Sequence, residues 1–146
     1  MVENPLTTVT PEKKIVVIDD VGVKPFEEFQ QYIRVPQTCV VVSNVVDVLN
    51  RLVGVSSLDI EYIAKELNLS KRTLQRHLWK SGSSFIELRD KVRFKHAMIC
   101  LLEKYMSIES TASYLNFSDR TSFTNAFKRW SGYSPSTFRK IYSGSI

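Results

Sequence analysis

Arg72, Gln75 and Arg76 form one cluster of long hydrogen-bonding side chains, and Arg120, Thr121, Ser122 and Asn125 form a second. These residue types share a chemistry. A guanidinium can bridge O6 and N7 of guanine, a carboxamide can bridge N6 and N7 of adenine, and each such pair rejects a wrong base by about 1 to 3 kcal/mol. Lys71 and Lys80 flank the first cluster, and Thr124, Lys128 and Arg129 lie within or after the second. Those five suit phosphate oxygens, contacts that place a protein on a duplex without reading its sequence. Base reading also requires the side chains to stand on one exposed face of an element that fits the major groove, which an α-helix does.

The elements that would carry the clusters are duplicated. LNLSKRT at 67–73 returns as LNFSDRT at 115–121, and at the same offset of 48 residues Ile60, Glu61 and Ala64 return as Ile108, Glu109 and Ala112. Each copy reads as helix, tight turn, helix. In the first, Asp59 is an N-cap, Ile60, Ile63, Ala64 and Leu67 share a face, and Ser70 caps a helix with Leu74, Leu78 and Trp79 inward, closed by Gly82. In the second, Ser107 caps a helix with Ile108, Ala112 and Leu115, and Ser118 caps one with Phe123, Ala126, Phe127 and Trp130. These apolar faces leave Lys71, Arg72, Gln75 and Arg76 outward in one copy and Arg120, Thr121, Ser122, Thr124 and Asn125 outward in the other. That is the layout of a helix-turn-helix, whose second helix reads the groove.

A helix from about Ser84 to Lys104 joins the copies, with Phe85, Leu88, Val92, Phe94, Ala97, Met98 and Leu101 at helical spacing. About eighteen residues at 1.5 Å each span roughly 27 Å. With the offset of each reader added, this approaches the roughly 34 Å that separates two readers on one face of B-DNA. A single chain carrying both readers implies an asymmetric site over two adjacent major-groove segments. On this helix Lys91, Arg93, Lys95 and His96 read as a solvated face; His77, Trp79 and Trp130 read as packing groups. Gly132, Ser134 and Pro135 stop the second motif and start a short last helix.

The expected fold is mainly α: a seven-helix double helix-turn-helix domain over residues 44–146, with motifs at about 59–81 and 107–131. Before it, residues 1–43 read as a small strand-helix-strand (α/β) appendage, from KKIVVIDD, PFEEFQQYI and TCVVVS. Two short strands with bare edges want a partner strand, so this segment is a candidate for homodimerisation. KKIVVIDD also resembles the opening of a receiver domain, but such a domain needs about three times this length. A remnant of a longer regulator or a linker are the other readings.

Charge follows the duplication: residues 59–146 hold 15 Lys and Arg against 8 Asp and Glu, whereas residues 1–58 hold 5 against 7. Basic residues on repeated elements favour a polyanion such as double-stranded DNA. Cys39 and Cys100 lie far apart beside only two histidines, so neither disulfide framework nor metal site is expected, and both read as free buried thiols. No cofactor is expected, because no glycine-rich phosphate loop or catalytic cluster is present, and the chain does not read as an enzyme. It has no apolar run near the roughly 20 residues needed to cross a bilayer, and a cytoplasmic location is expected.

FIELRDKVRFKHAMICLL followed by SIESTASYLNFSDRTSFTNAFKRWSGYSPSTFRK resembles the DNA-binding domain of AraC/XylS-type transcription regulators. The most specific stretch is Phe123, Phe127, Lys128, Gly132, Ser134, Pro135, Phe138 and Arg139 at their spacing, and the resemblance covers about residues 44–142. It implies base reading by Arg72, Gln75 and Arg76 and by Arg120, Thr121, Ser122 and Asn125, and activation of transcription through RNA polymerase. Many members carry arginine where this chain has Asn125, so weaker guanine preference is expected in the second half. The alternative is an adaptor that binds RNA polymerase or another regulator without touching bases.

Overall fold

The computed structural model describes residues 23–35 and 39–145. Among the described residues the regular elements are helices: α1 (Phe26–Tyr32), α2 (Val40–Leu52), α3 (Ile60–Glu66), α4 (Lys71–Lys80), α5 (Phe85–Met98), α6 (Ile108–Tyr114), α7 (Arg120–Ser131) and α8 (Pro135–Tyr142). A π-helical turn, Ile99–Glu103, extends α5. The long linking helix is therefore present, its last turn loosened so that Cys100, Leu101 and Leu102 are all buried.

The helix expected in PFEEFQQYI is α1, but the strand expected in TCVVVS is absent: Val40 already begins α2. Val42, Val45, Val48, Leu49 and Leu52 are buried at helical spacing, and burying that stripe outweighs the strand preference of β-branched residues. The helix also runs through residue 43. The strand expected in KKIVVIDD lies outside the described residues.

Helix α5 is the axis on which both halves pack. Phe85, Leu88, Val92, Phe94, Ala97, Met98 and Leu101 are all buried, as their spacing requires. Phe94 centres an aromatic cluster, with ring centroids of Phe127 at 5.4 Å, Trp130 at 5.7 Å, and Phe29 and Tyr32 at 5.8 Å each. Through Phe29, which also meets Phe138 and Tyr142, α1 belongs to the same core.

The supposed wet face of α5 divides. Lys95 is exposed, but Lys91 reaches the Tyr32 carbonyl at 2.6 Å and lies 4.8 Å from the Tyr32 ring centroid. His96 is half-buried against Asn50 Oδ1 at 2.9 Å, and burial pushes its pKa down. Arg93 is only 7% exposed. A charged side chain is tolerated there because backbone carbonyls receive its N–H groups, an arrangement the linear pattern of α5 does not disclose. Of the two free cysteines, Cys100 is buried as expected, whereas Cys39 is partly exposed with its Sγ 2.9 Å from Ser81 Oγ.

Candidate nucleic-acid interface

The two motifs, α3–α4 and α6–α7, are built by the same local rules. In each, the first helix is closed by a bond back from the residue after a left-handed asparagine: Leu69 N–H donates to the Ala64 carbonyl, and Phe117 N–H to that of Ala112, both at 2.9 Å. Asn68 and Asn116 hold φ of 58° and 67°, a region that asparagine enters more readily than most residues. Asp59 occupies the N-cap position of α3 but makes no side-chain cap bond.

The motifs differ by one residue. Ser70 caps α4 by accepting the Thr73 N–H at 3.1 Å, but the corresponding cap of α7 is Asp119, not Ser118: its Oδ1 accepts the Ser122 N–H at 2.7 Å. That N–H, together with the Ser122 hydroxyl, holds the Asp119 carboxyl below its usual range. The letters repeat after 48 residues, but the reader helices repeat after 49. The signal was available in the core faces, since Leu74 and Leu78 precede Phe123 and Phe127 by that larger interval. Arg120 therefore occupies the place of Lys71, Thr121 that of Arg72, Thr124 that of Gln75, and Asn125 that of Arg76.

Ion pairs follow the same register. Lys71 Nζ lies 3.2 Å from Glu61 Oε2, and Arg120 Nη1 lies 2.8 Å from Glu109 Oε2. Each glutamate is held below its usual pKa, first by its own backbone N–H at the helix start and then by its cation. These glutamates were visible as part of the repeat, but not as partners of the readers' first residues. Removing the α4 cap by Ser70→Ala is expected to cost about 1 kcal/mol of stability. Urea unfolding checks this; an unchanged midpoint would show that the cap contributes nothing.

The structure leaves Arg72, Gln75 and Arg76 exposed on α4, and Arg120, Thr121, Ser122 and Asn125 exposed on α7. Lys71, Lys80, Lys128 and Arg129 are exposed as well, and Thr124 is half-buried. Arg129 leans toward α5, its Nη2 3.9 Å from Asp90 Oδ2. Trp130 packs as expected against Phe94, Phe117 and Phe127. Trp79 does not: it is 78% exposed. It stands about 100° round α4 from the fully buried Leu78, on a side that no other element covers.

Each reader borders a cleft whose far wall is the start of the following helix. Beside α4 the cleft is about 560 Å³ and includes Gln75, Trp79, Phe85 and Ile86. Beside α7 it is about 310 Å³ and includes Thr121, Thr124, Ser134 and Ser136. The first sets Trp79, Phe85 and Ile86 among charged neighbours, and the second sets four hydroxyl-bearing residues beside Ile108 and Pro135. No cluster of three or more His, Cys, Asp or Glu side chains suited to a metal ion occurs among the described residues, and no described helix is long and apolar enough to cross a membrane.

A helix-turn-helix domain profile matches residues 63–141, more than half of the chain. The chain belongs to the AraC-type helix-turn-helix family. Similar family members include the Msm operon regulatory protein of Streptococcus mutans, 41% identical over 86 residues, which are 58% of this chain and 31% of that protein. The ornithine utilization regulator of Pseudomonas aeruginosa is 35% identical over 82 residues, 56% of this chain and 24% of that one. The chain thus spans about a quarter to a third of the length of these relatives. In three dimensions it resembles the transcriptional regulator CdpR of Pseudomonas aeruginosa, with a TM-score of 0.64 and 31% identity over 69% of this chain and 32% of that structure.

Proposed function

We propose that this chain acts as a DNA-binding transcription regulator that places α4 and α7 in two adjacent major-groove segments. The observation that carries the reading is the pair of exposed reader faces, each with its first residue ion-paired to a glutamate of the preceding helix, Glu61 in one motif and Glu109 in the other. Arg72, Gln75 and Arg76 read bases from α4. On α7 the equivalent places hold Thr121, Thr124 and Asn125, with Ser122 beside them, so the first block prefers guanine and adenine more strongly than the second. Arg120 pairs with Glu109 through Nη1 and keeps its other N–H groups for a base. Lys71, Lys80, Lys128 and Arg129 supply the phosphate contacts. An adaptor that touched no bases would have no use for three long donors outward on α4.

Arg76→Ala is expected to weaken binding to the preferred site by about 1 to 3 kcal/mol and to relax preference at one base pair. Titration of preferred and scrambled duplexes separates the outcomes: an equal loss on both would make Arg76 a phosphate contact. The same reading carries two further steps, activation through RNA polymerase and self-association through the N-terminal region. For the latter, removal of residues 1–22 spares Phe29 of the core and is expected to convert a dimer to a monomer in sedimentation. An intact chain already monomeric at micromolar concentration would remove that step.

A further inference from the structure

The two motifs touch at a seam assembled from distant parts of the chain. The backbone N–H of Leu58, just before α3, donates to Asn116 Oδ1 in the turn of the second motif at 3.2 Å. The Leu58 carbonyl accepts from Arg89 Nη1 of α5 at 3.4 Å. One helical turn further on, Arg93 donates from Nε to the Leu115 carbonyl at 3.0 Å and from Nη2 to the Asn116 carbonyl at 2.9 Å. Its guanidinium also lies 4.1 Å from the Phe117 ring centroid. Alongside, the Tyr114 ring covers Gly54, where a Cβ would collide with the ring.

These contacts do more than fill space. The Leu115 and Asn116 carbonyls follow the end of α6, where helix geometry leaves acceptors without intrahelical partners and partial negative charge accumulates. A buried guanidinium needs acceptors of that kind in a fixed fork, and it finds them together with an aromatic face. Phe117 in turn packs on Phe123 and Trp130 of the second reader, with centroids at 5.5 and 6.1 Å. Movement of the Arg93 fork is therefore movement of α7. Asparagine at residue 116 is explained as backbone by its left-handed φ, but its side chain reaches across to the entrance of the first motif. The covalent route between the motifs runs through a π-helical turn and a left-handed Tyr105 at φ 51°, and the seam gives them a second attachment.

We propose that Arg93 and Asn116 are positioning residues that set the orientation of α7 relative to α4, and thereby the spacing between the two base blocks the chain accepts. The proposal rests on the reading of α4 and α7 as DNA readers. One extra base pair turns the second block by about 35° and moves it about 3.4 Å, so a rigid seam enforces one spacing.

Two variants separate positioning from folding. Asn116→Gly is compatible with the left-handed backbone and removes the carboxamide that supplies Oδ1; Arg93→Lys keeps the charge and loses the fork. Spin labels on Lys80→Cys and Lys128→Cys, in a Cys39→Ser background, report the distance between the readers without DNA. A single narrow distribution is expected in the parent and a broadened one in both variants, at unchanged far-ultraviolet helicity; an equally narrow distribution in the variants overturns the proposal. If Arg93→Lys loses its fold, Asn116→Gly alone decides. In selection from a duplex library with a variable spacer, the parent is expected to enrich one spacing, and the variants to lose about tenfold of that preference, the scale of one hydrogen bond, with both blocks unchanged. Retention of the parent's spacing preference also overturns it. Broadening in the variants, with no DNA enriched by the parent, would uphold the seam and remove the DNA reading instead.

Discussion

Phe94→Ala is expected to lower the free energy of unfolding by about 3 to 5 kcal/mol. The ring is fully buried, and side chains of α1, α7 and α8 converge on it: Phe29, Phe127 and Trp130 are joined by Phe138 at 6.3 Å. Truncation forfeits both the transfer free energy of the ring and the contacts of the cavity it leaves. These neighbours come from separate helices, each fixed by its own packing, so the site has little freedom to collapse. Against a typical total of about 5 to 15 kcal/mol, one substitution would remove a large fraction of stability. Guanidinium unfolding at unchanged slope measures it, and a loss under about 1 kcal/mol would show that the cluster re-packs.

DNA affinity is expected to fall about a hundredfold between 50 and 200 mM salt if the four cations proposed as phosphate contacts, Lys71, Lys80, Lys128 and Arg129, release counterions with a slope near −3.6. Lys71 already has Glu61 at 3.2 Å, and Arg129 has Asp90 at 3.9 Å. The Lys71 pair is exposed on both sides, and Asp90 is the more shielded member of the other. Exposed pairs are worth little in water, so exchanging Glu61 for a phosphate costs Lys71 little. Fluorescence anisotropy at several salt concentrations gives the slope, and Lys128→Ala is expected to flatten it by about one unit. A slope near zero would sink the phosphate assignments; an unchanged slope in the variant would remove Lys128 alone.

Much of the interface was legible because its determinants are local. Serine caps at residues 70 and 107, the turn asparagines and the inward Leu74, Leu78, Phe123 and Phe127 lie within a few residues of what they organise. Outward reader faces follow from those inward ones by helix geometry. The one-residue lengthening of the second turn was obscured because LNFSDRT preserves the letters of LNLSKRT while the cap moves from serine to aspartate. Thr121, Thr124 and Asn125, rather than Arg120, thereby become the counterparts of the first reader's long donors.

The linear order of residues is enough to establish two helix-turn-helix motifs, a connecting helix and the side chains each reader turns outward, because periodicity and capping act over a turn or two of chain. It does not tell Arg93 from Lys95, or Trp79 from Trp130. Whether a charged or aromatic group is buried depends on what another element brings to it: carbonyls after α6 for Arg93, the Phe94 cluster for Trp130, open solvent for Trp79 and Lys95. Packing likewise decided that the valines after Cys39 form a helix, since burial of one face of α2 outweighed their local preference. It also joined Leu58 to Asn116 across 58 residues, a hydrogen bond that exists only once both motifs have docked on α5.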